Sequence, residues 1–152
     1  MTTVTPFLWY DADLAEPLAY YASIFPSMQV VERSPGPDGS VFTATVELFG
    51  QRLMLLNGGP MHARFDESFS LFVSVQTQAE VDELWSKLTA DGGEPGRCGW
   101  LKDRYGLSWQ IIPDRLGELL GGPDPVRAKQ ALDAMLAMDK LSISELQAAY
   151  DR

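Results

Sequence analysis

The sequence has little of what a soft metal site or a disulfide framework requires. It contains one cysteine, Cys98, and one histidine, His62, in 152 residues. A single cysteine excludes an internal disulfide, and one Cys with one His is too few for a thiolate or imidazole metal cluster. We expect a solvated loop histidine and an inert strand cysteine. The alternatives are that the His62 loop closes over a pocket and that Arg97 activates the Cys98 thiol.

Positive charge and long apolar segments are also scarce. Twelve Lys and Arg oppose twenty-one Asp and Glu, for a net charge of −9, and no basic run occurs. A nucleic-acid surface would lack its main source of affinity, and acidic membranes are unsuitable partners for the same reason. No segment reaches the roughly 18 apolar residues that span a bilayer, and no charged N-terminal region precedes an apolar one. The sequence predicts a cytoplasmic protein that binds neither nucleic acid nor membranes.

What is present is enough apolar material for a core, since 45% of the residues are hydrophobic. Helix and strand signals alternate along the chain, and the alternation occurs twice. The first pass predicts a strand at "TPFLWYD", a helix at "DLAEPLAYYASIF" and strands at "MQVVER", "SVFTATVELF" and "GQRLMLLN". After a linker, "GGPMHARFDES", the second predicts a strand at "FSLFVSV", a helix at "QAEVDELWSKL" and strands around "EPGRCGW", "WLKDRY" and "GLSWQIIP".

The two strand–helix–strand segments correspond in register. Helix positions match at an offset of 64 residues and last-strand positions at an offset of 56. The matched pairs are Asp13 with Thr77, Glu16 with Glu80, Tyr21 with Trp85, Gly50 with Gly106, Leu53 with Trp109 and Leu55 with Ile111. Asp13 and Glu16 suggest a capping box, although Pro17 at the first helical position would start the helix later. The correspondence predicts an α+β fold of two tandem βαβββ units, at about residues 4–57 and 68–113.

This arrangement, with "DRYGLSWQIIP" near its end, resembles the vicinal oxygen chelate superfamily, the glyoxalase and bleomycin-resistance fold. Its PhnB-like branch, often labelled 3-demethylubiquinone methyltransferase-like, is similar at "TPFLWYDADLAEPLAYYASIFP", "LLNGGP", "SFSLFVSV", "GWLKDRYGLSWQIIP" and "AMLAMDKLSISELQAAY". The resemblance assigns residues 1–122 to one such domain, in which two curved half-barrels enclose a pocket. We take the methyltransferase label as a family name only, because the glycine-rich turn and acidic residue of an adenosine-binding site are missing.

Metal-binding members of the superfamily take ligands from the first and last strands of each unit. The resemblance places the last-strand position at Gln110, and the offset of 56 gives its counterpart, Met54. Counting back from the first helix cap places the first-strand position at Pro6, and the offset of 64 gives its counterpart, Ser70. Proline has no ligating side chain, and a thioether is a poor ligand for hard cations. A serine hydroxyl and a neutral amide are together too weak to hold a divalent ion. We therefore expect no metal and no other cofactor, with Gln110 acting as a hydrogen-bonding group in the pocket.

Alternation along the strands then predicts the pocket wall. The side chains that share the concave face with Gln110 are Ser108, Ile112, Arg52, Met54, Leu56, Leu8, Tyr10, Ser70, Phe72 and Ser74. The predicted ligand-binding residues are Gln110, Arg52, Met54, Tyr10, Ser70, Phe72 and Ser108, with Arg52 pairing an acidic group of the ligand. The alternative is that these side chains fill a closed core and bind nothing.

Residues 123–152 form a C-terminal helical extension outside the repeat. "DPVRAKQALDAMLAMDKL" has apolar residues at helical spacing, and "SISELQAAY" begins with a capping box at Ser142 and Glu145. The Met- and Leu-rich stripe packs either on its own sheet or against a second chain. Since half-barrels of this superfamily are often braced across a two-fold axis, we expect a homodimer that involves this extension.

Together these features favour a metal-free protein that binds a modest organic molecule in the concave pocket. The alternative is an enzyme of lyase, dioxygenase or transferase type, with or without a metal, that acts on a small organic substrate at the same place. No catalytic residue is identifiable from the sequence.

Overall fold

The computed structural model describes residues 1–60 and 64–152, so His62 and the middle of the predicted linker lie outside the described residues. The chain divides into two compact units, Met1–Arg64 and Phe65–Arg152. Each unit contains one four-stranded sheet with a parallel pair and antiparallel neighbours. The predicted tandem α+β repeat is therefore confirmed.

The first unit has the order strand, helix and three strands. Its elements are β1 (Phe7–Tyr10), α1 (Ala15–Ile24), β2 (Gln29–Pro35), β3 (Val41–Leu48) and β4 (Gln51–Asn57). The sheet order is β1-β4-β3-β2, with β1 parallel to β4. Alternate residues of β1, β3 and β4 are buried, so one face of the sheet forms the core and the other is open.

The start of α1 differs from the predicted capping box. The N-cap is Leu14, without a side-chain cap. The Asp13 carboxylate instead accepts hydrogen bonds from Ala15 N and Val41 N, both at 3.1 Å. Asp13 thus ties the helix to β3, and Pro17, near the start of the helix, is buried.

The second unit repeats the order and adds three helices. Its elements are β5 (Ser70–Val75), α2 (Gln78–Thr89), β6 (Glu94–Pro95), β7 (Trp100–Lys102), β8 (Ser108–Pro113), α3 (Asp114–Leu120), α4 (Pro125–Leu136) and α5 (Ile143–Tyr150). The sheet order is β5-β8-β7-β6. The predicted caps are confirmed, because Thr77 Oγ1 accepts from Glu80 N at 3.2 Å and Ser142 Oγ accepts from Glu145 N at 3.3 Å.

A short turn between β7 and β8 is organised by Asp103, which is almost fully buried. Its carboxylate accepts from Tyr105 N at 2.8 Å, Leu107 N at 3.1 Å and Trp109 Nε1 at 2.9 Å. Because one side chain binds both the turn and the buried Trp109, it sets the pairing of β7 with β8.

The C-terminal helices pack on their own unit. Their apolar side chains form one core cluster with the end of β8, comprising Ile112, Leu116, Leu119, Ala131, Leu141 and Leu146. Backbone bonds add to this contact, since Cys98 N donates to Met138 O and Gly99 N to Asp139 O, both at 2.8 Å. Among the described residues, no helix combines the length and apolar character of a membrane span.

Candidate ligand-binding site

The open face of the second sheet brings polar and aromatic side chains into two adjacent rows. Pairing of β5, β8 and β7 places Ser70 beside Ser108 and Ser108 beside Lys102. We call these three residues the polar row. The same pairing places Phe72 beside Gln110 and Gln110 beside Trp100, which we call the aromatic row. Since same-face residues on one strand are about 6.6 Å apart, the two rows lie within reach of one small molecule.

The two rows are connected by a hydrogen bond. Gln110 Nε2 donates to Ser70 Oγ at 3.0 Å. The bond crosses from β8 to the edge strand β5 and holds the amide in one orientation. The Gln110 carbonyl oxygen then remains as an acceptor for a ligand.

Next to these rows is a cleft of about 430 Å³, a volume in the range of small-molecule sites. Its lining comprises Glu67, Glu94, Pro95, Gly96, Arg97, Trp100, Leu101, Lys102 and Ser108. The Oγ of Ser108 is buried and has no hydrogen-bond partner among the described residues. Since buried polar groups are nearly always bonded, this orphan hydroxyl indicates a place where a ligand or water would bind.

Charged side chains surround the cleft. Lys102 Nζ contacts Glu67 Oε1 at 2.7 Å. The hydrogen bond from Lys102 lowers the pKa of Glu67, and the same bond raises the pKa of Lys102. Arg97 donates to Leu136 O at 3.0 Å, which joins the cleft rim to α4.

The first unit presents a more apolar open face. Phe7 and Trp9 of β1 lie beside Met54 and Leu56 of β4. The Trp9 indole donates to Gly59 O at 3.1 Å. This face offers aromatic and thioether surface with few polar groups.

The predicted site residues divide between these two faces. Gln110, Ser70, Phe72 and Ser108 share the open face of the second sheet. Met54 lies on the open face of the first sheet, as predicted from alternation. Arg52 is there too, but Glu47 already binds its guanidinium at 2.6 Å, so it is not the unpaired cation that the prediction required.

The predicted placement of Tyr10 and Leu8 on the open face is wrong. Both are buried on the helix side, where Tyr10 Oη lies 2.9 Å from Tyr21 Oη. The error came from applying the helix offset of 64 to the strands. Phe7 pairs with Met54 as Phe72 pairs with Gln110, an offset of 65, and a shift of one residue exchanges the two faces.

The residues at the superfamily's metal positions do not fit a divalent ion. Of the four, Ser70 and Gln110 are bonded to each other, and the Pro6 carbonyl oxygen accepts from Met54 N at 2.9 Å. The strand offset of 65 makes Thr5, and not Pro6, the counterpart of Ser70, which adds one hydroxyl to the set. Within residues 1–60 and 64–152, no three His, Cys, Asp or Glu side chains group closely enough to hold a metal. One amide, two hydroxyls and one thioether are a weak donor set for hard cations.

The sequence-based prediction missed Trp100, Lys102 and Glu67. A signal for the first two was present, because Asp103 and Gly106 in "KDRYG" indicate a turn that pairs Lys102 with Ser108. Alternation then places Trp100 beside Gln110. Glu67 had no such signal, since it reaches Lys102 from a loop.

Comparisons with known proteins agree with this fold. The family model for 3-demethylubiquinone-9 3-methyltransferase matches residues 2–112. A Bacillus cereus PhnB protein named for the same methyltransferase is 28% identical, with a TM-score of 0.67, and the match covers 74% of this chain and 99% of that one. No functionally curated protein matches the chain.

Two more distant structures share the fold alone. A glyoxalase-related enzyme from Fulvimarina pelagi is 20% identical with a TM-score of 0.53, over 76% of this chain and 91% of that one. The fosfomycin resistance protein FosX of Listeria monocytogenes, complexed with Mn(II) and sulfate, is 17% identical with a TM-score of 0.54. The match covers 73% of this chain and 92% of FosX. The family match, the tandem units and these neighbours lead to one assignment: the chain belongs to the 3-demethylubiquinone-9 3-methyltransferase family, the PhnB-like branch of the vicinal oxygen chelate superfamily.

Proposed function

We propose that this protein binds a small organic molecule, without a metal ion, on the open face of its second sheet. The observation that carries the proposal is the buried Ser108 hydroxyl, which lines a cleft and has no partner among the described residues. Gln110 and Phe72 supply an acceptor and an apolar surface beside it. A few polar groups in a largely apolar surround are typical of ligand sites.

A thermal-shift screen of metabolites and drugs tests the proposal. A compound present at a hundred times its Kd should add about 2.7 kcal/mol to the free energy of unfolding. The Gln110→Ala variant should lose most of this gain. Gln51→Ala is the matched control, because Gln51 is an exposed amide that donates to the carbonyl of its neighbour Arg52. The proposal fails if no compound stabilises the protein, or if both variants respond as the wild type does.

A second candidate is an enzyme that acts on a small organic substrate at the same place. It is favoured by the methyltransferase name of the family and by the Mn(II) bound to FosX. Gln110 also retains a carbonyl oxygen that can ligate. Metal analysis separates the two candidates: stoichiometric Mn, Ni, Zn or Fe that survives dialysis and is lost in Gln110→Ala would favour the enzyme.

A homodimer in the cytoplasm remains part of the proposal. The net charge of −9 argues against binding to nucleic acid or to acidic membranes, which is consistent with the proposed cytoplasmic location. Helix α4 supports self-association because Leu132 and Leu136, one turn apart, are 38% and 49% exposed. Two such side chains form the start of an apolar contact surface.

A further inference from the structure

The cleft of the second unit has the chemistry of a site for an aromatic carboxylic acid. This inference rests on the proposed ligand-binding function and names the ligand class. The polar row provides a cation and a hydroxyl side by side, because Lys102 and Ser108 are direct partners in the β7–β8 pairing. Two residues further along each strand, the aromatic row provides the flat surface of Trp100 beside Gln110.

The Ser108 hydroxyl distinguishes the Lys102–Ser108 pair from an ordinary pair of surface donors. It is 1% exposed and lines the cleft, yet its Oγ has no partner among the described residues. Lys102 Nζ has three hydrogens, and one contact to Glu67 leaves donors to spare. A carboxylate accepts through two oxygens, so one oxygen can bind Nζ while the other accepts from Oγ.

The carboxylate of Glu67 already pairs with the Lys102 ammonium group. It reaches Lys102 from the loop before β5, and its side chain is 63% exposed against 37% for Lys102. The loop is shaped by Asp66, whose carboxylate accepts from Ser68 N at 2.8 Å. Glu67 therefore stands where the acid group of a ligand would bind, and it can leave toward solvent.

The remaining charges allow this exchange. With Glu67 displaced, the lining keeps Lys102 and Arg97 as cations and Glu94 as an anion, a net charge of +1, while Asp66 of the neighbouring loop also acts electrostatically on Lys102. A bound carboxylate neutralises that charge. With Glu67 in place, the same four groups sum to zero.

We propose that the cleft takes an aryl-alkanoic acid whose carboxylate binds Lys102 and Ser108 and whose ring packs on Trp100. We further propose that Glu67 is a built-in competitor for Lys102. The separation of the two rows, about 6.6 Å, suits an acid group held a few bonds from the ring.

The test compares 3-phenylpropionate with its neutral amide, 3-phenylpropanamide, by calorimetry or NMR titration at neutral pH. The wild type should prefer the acid. Glu67→Gln should bind the acid roughly two to five times more tightly, because Glu67 no longer competes for Lys102, and should bind the amide unchanged. Lys102→Met should lose the preference for the acid.

The matched control is Glu83→Gln. Glu83 accepts from Lys87 at the same distance, 2.7 Å, on the surface of α2, and its removal should leave both affinities unchanged. Equal acid affinity in Glu67→Gln and the wild type would overturn the competitor role. An amide bound as tightly as the acid by the wild type would overturn the ligand class.

The proposed function is tested separately from this inference. If neither probe binds any variant, while another compound binds in a manner that depends on Gln110, the inference is wrong and the ligand-binding function stands. If no compound of any class binds, both are wrong.

Discussion

At the scale of single residues, the second unit holds two polar side chains in contrasting states. Among the described residues, Asp103 and Ser108 are the buried polar or charged side chains, each 1% exposed. Asp103 accepts three hydrogen bonds and fixes a turn, whereas the Ser108 hydroxyl has no partner there. Since burying an unbonded hydroxyl costs free energy, the Ser108 side chain destabilises the unliganded protein.

Ser108→Ala should therefore leave the unliganded protein as stable as the wild type or more stable, by up to about 1 kcal/mol. The same change should weaken binding of any ligand that uses the cleft. Urea denaturation with and without 3-phenylpropionate measures both effects. Ser144→Ala, an exposed change on α5, is the control, and a clear loss of stability in Ser108→Ala would contradict an unpaired hydroxyl.

The pairing of Glu67 with Lys102 predicts a pH dependence. The hydrogen bond from Lys102 lowers the pKa of Glu67. The ion pair therefore stabilises the fold fully when the pH is above the ordinary glutamate pKa, roughly 4.3. It is lost as the pH falls through the lowered pKa, since the unfolded chain binds that proton first. Carboxyl NMR should find the Glu67 midpoint below the ordinary value in the wild type and nearer to it in Lys102→Met. The same midpoint in both proteins would contradict the pairing.

At the scale of elements, the connection between a strand and its helix decides which face a strand presents. The caps of α1 and α2, Leu14 and Thr77, are 63 residues apart, whereas the partnered strand residues Phe7 and Phe72 are 65 apart. The first unit thus has two more residues between strand and helix. The predicted offset of 64, which takes Asp13 as the counterpart of Thr77, differs from the strand offset by one residue. It therefore assigns β1 to the wrong face, because strand side chains alternate.

The β3–β4 hairpin gives a prediction at this scale. Its two-residue turn, Phe49 and Gly50, has φ values of +48° and +83°, as in type I′ turns. Gly50→Ala should destabilise the protein by about 1 kcal/mol, since a Cβ there meets no atom but disfavours positive φ. Gly117→Ala is the matched control. A Cβ is also free of contacts there, but the site is helical, so we expect a gain of about 0.8 kcal/mol. Equal effects in denaturant titrations would contradict the turn assignment.

At the scale of the whole molecule, the C-terminal extension packs on the chain that carries it. Leu141 and Leu146 are fully buried against Ile112 of β8. The Gln78 side chain bonds both Leu141 O at 2.9 Å and Ile143 N at 2.8 Å, which fixes the loop before α5 to the start of α2. Most of the stripe expected at a dimer interface is therefore already covered within one chain.

A homodimer that uses the extension must then use the exposed part of α4. Changing Leu132 and Leu136 together to Ser should leave the fold and its stability within about 0.5 kcal/mol, because both are surface positions. It should shift the protein from dimer to monomer in sedimentation velocity. A wild type that sediments as a monomer would refute the dimer, and a variant that stays dimeric would place the interface elsewhere.

The sequence alone was sufficient for the tandem repeat, the family and the caps at Thr77 and Ser142, because these depend on local periodicity and on residues three positions apart. It also placed Gln110, Ser70, Phe72 and Ser108 on one face, since alternation within β5 and β8 is local. It did not predict α3, whose seven residues follow β8 directly and include Gly117.

Only the tertiary structure decided the face of Tyr10, the packing of the extension and the meeting of Glu67 with Lys102. Each depends on contacts between residues distant in sequence or on the length of a connection, which periodicity does not encode. The Ser108 hydroxyl shows the difference most plainly. Its position on the strand follows from the sequence, but its lack of a partner within residues 1–60 and 64–152 depends on every neighbour that the fold brings near it.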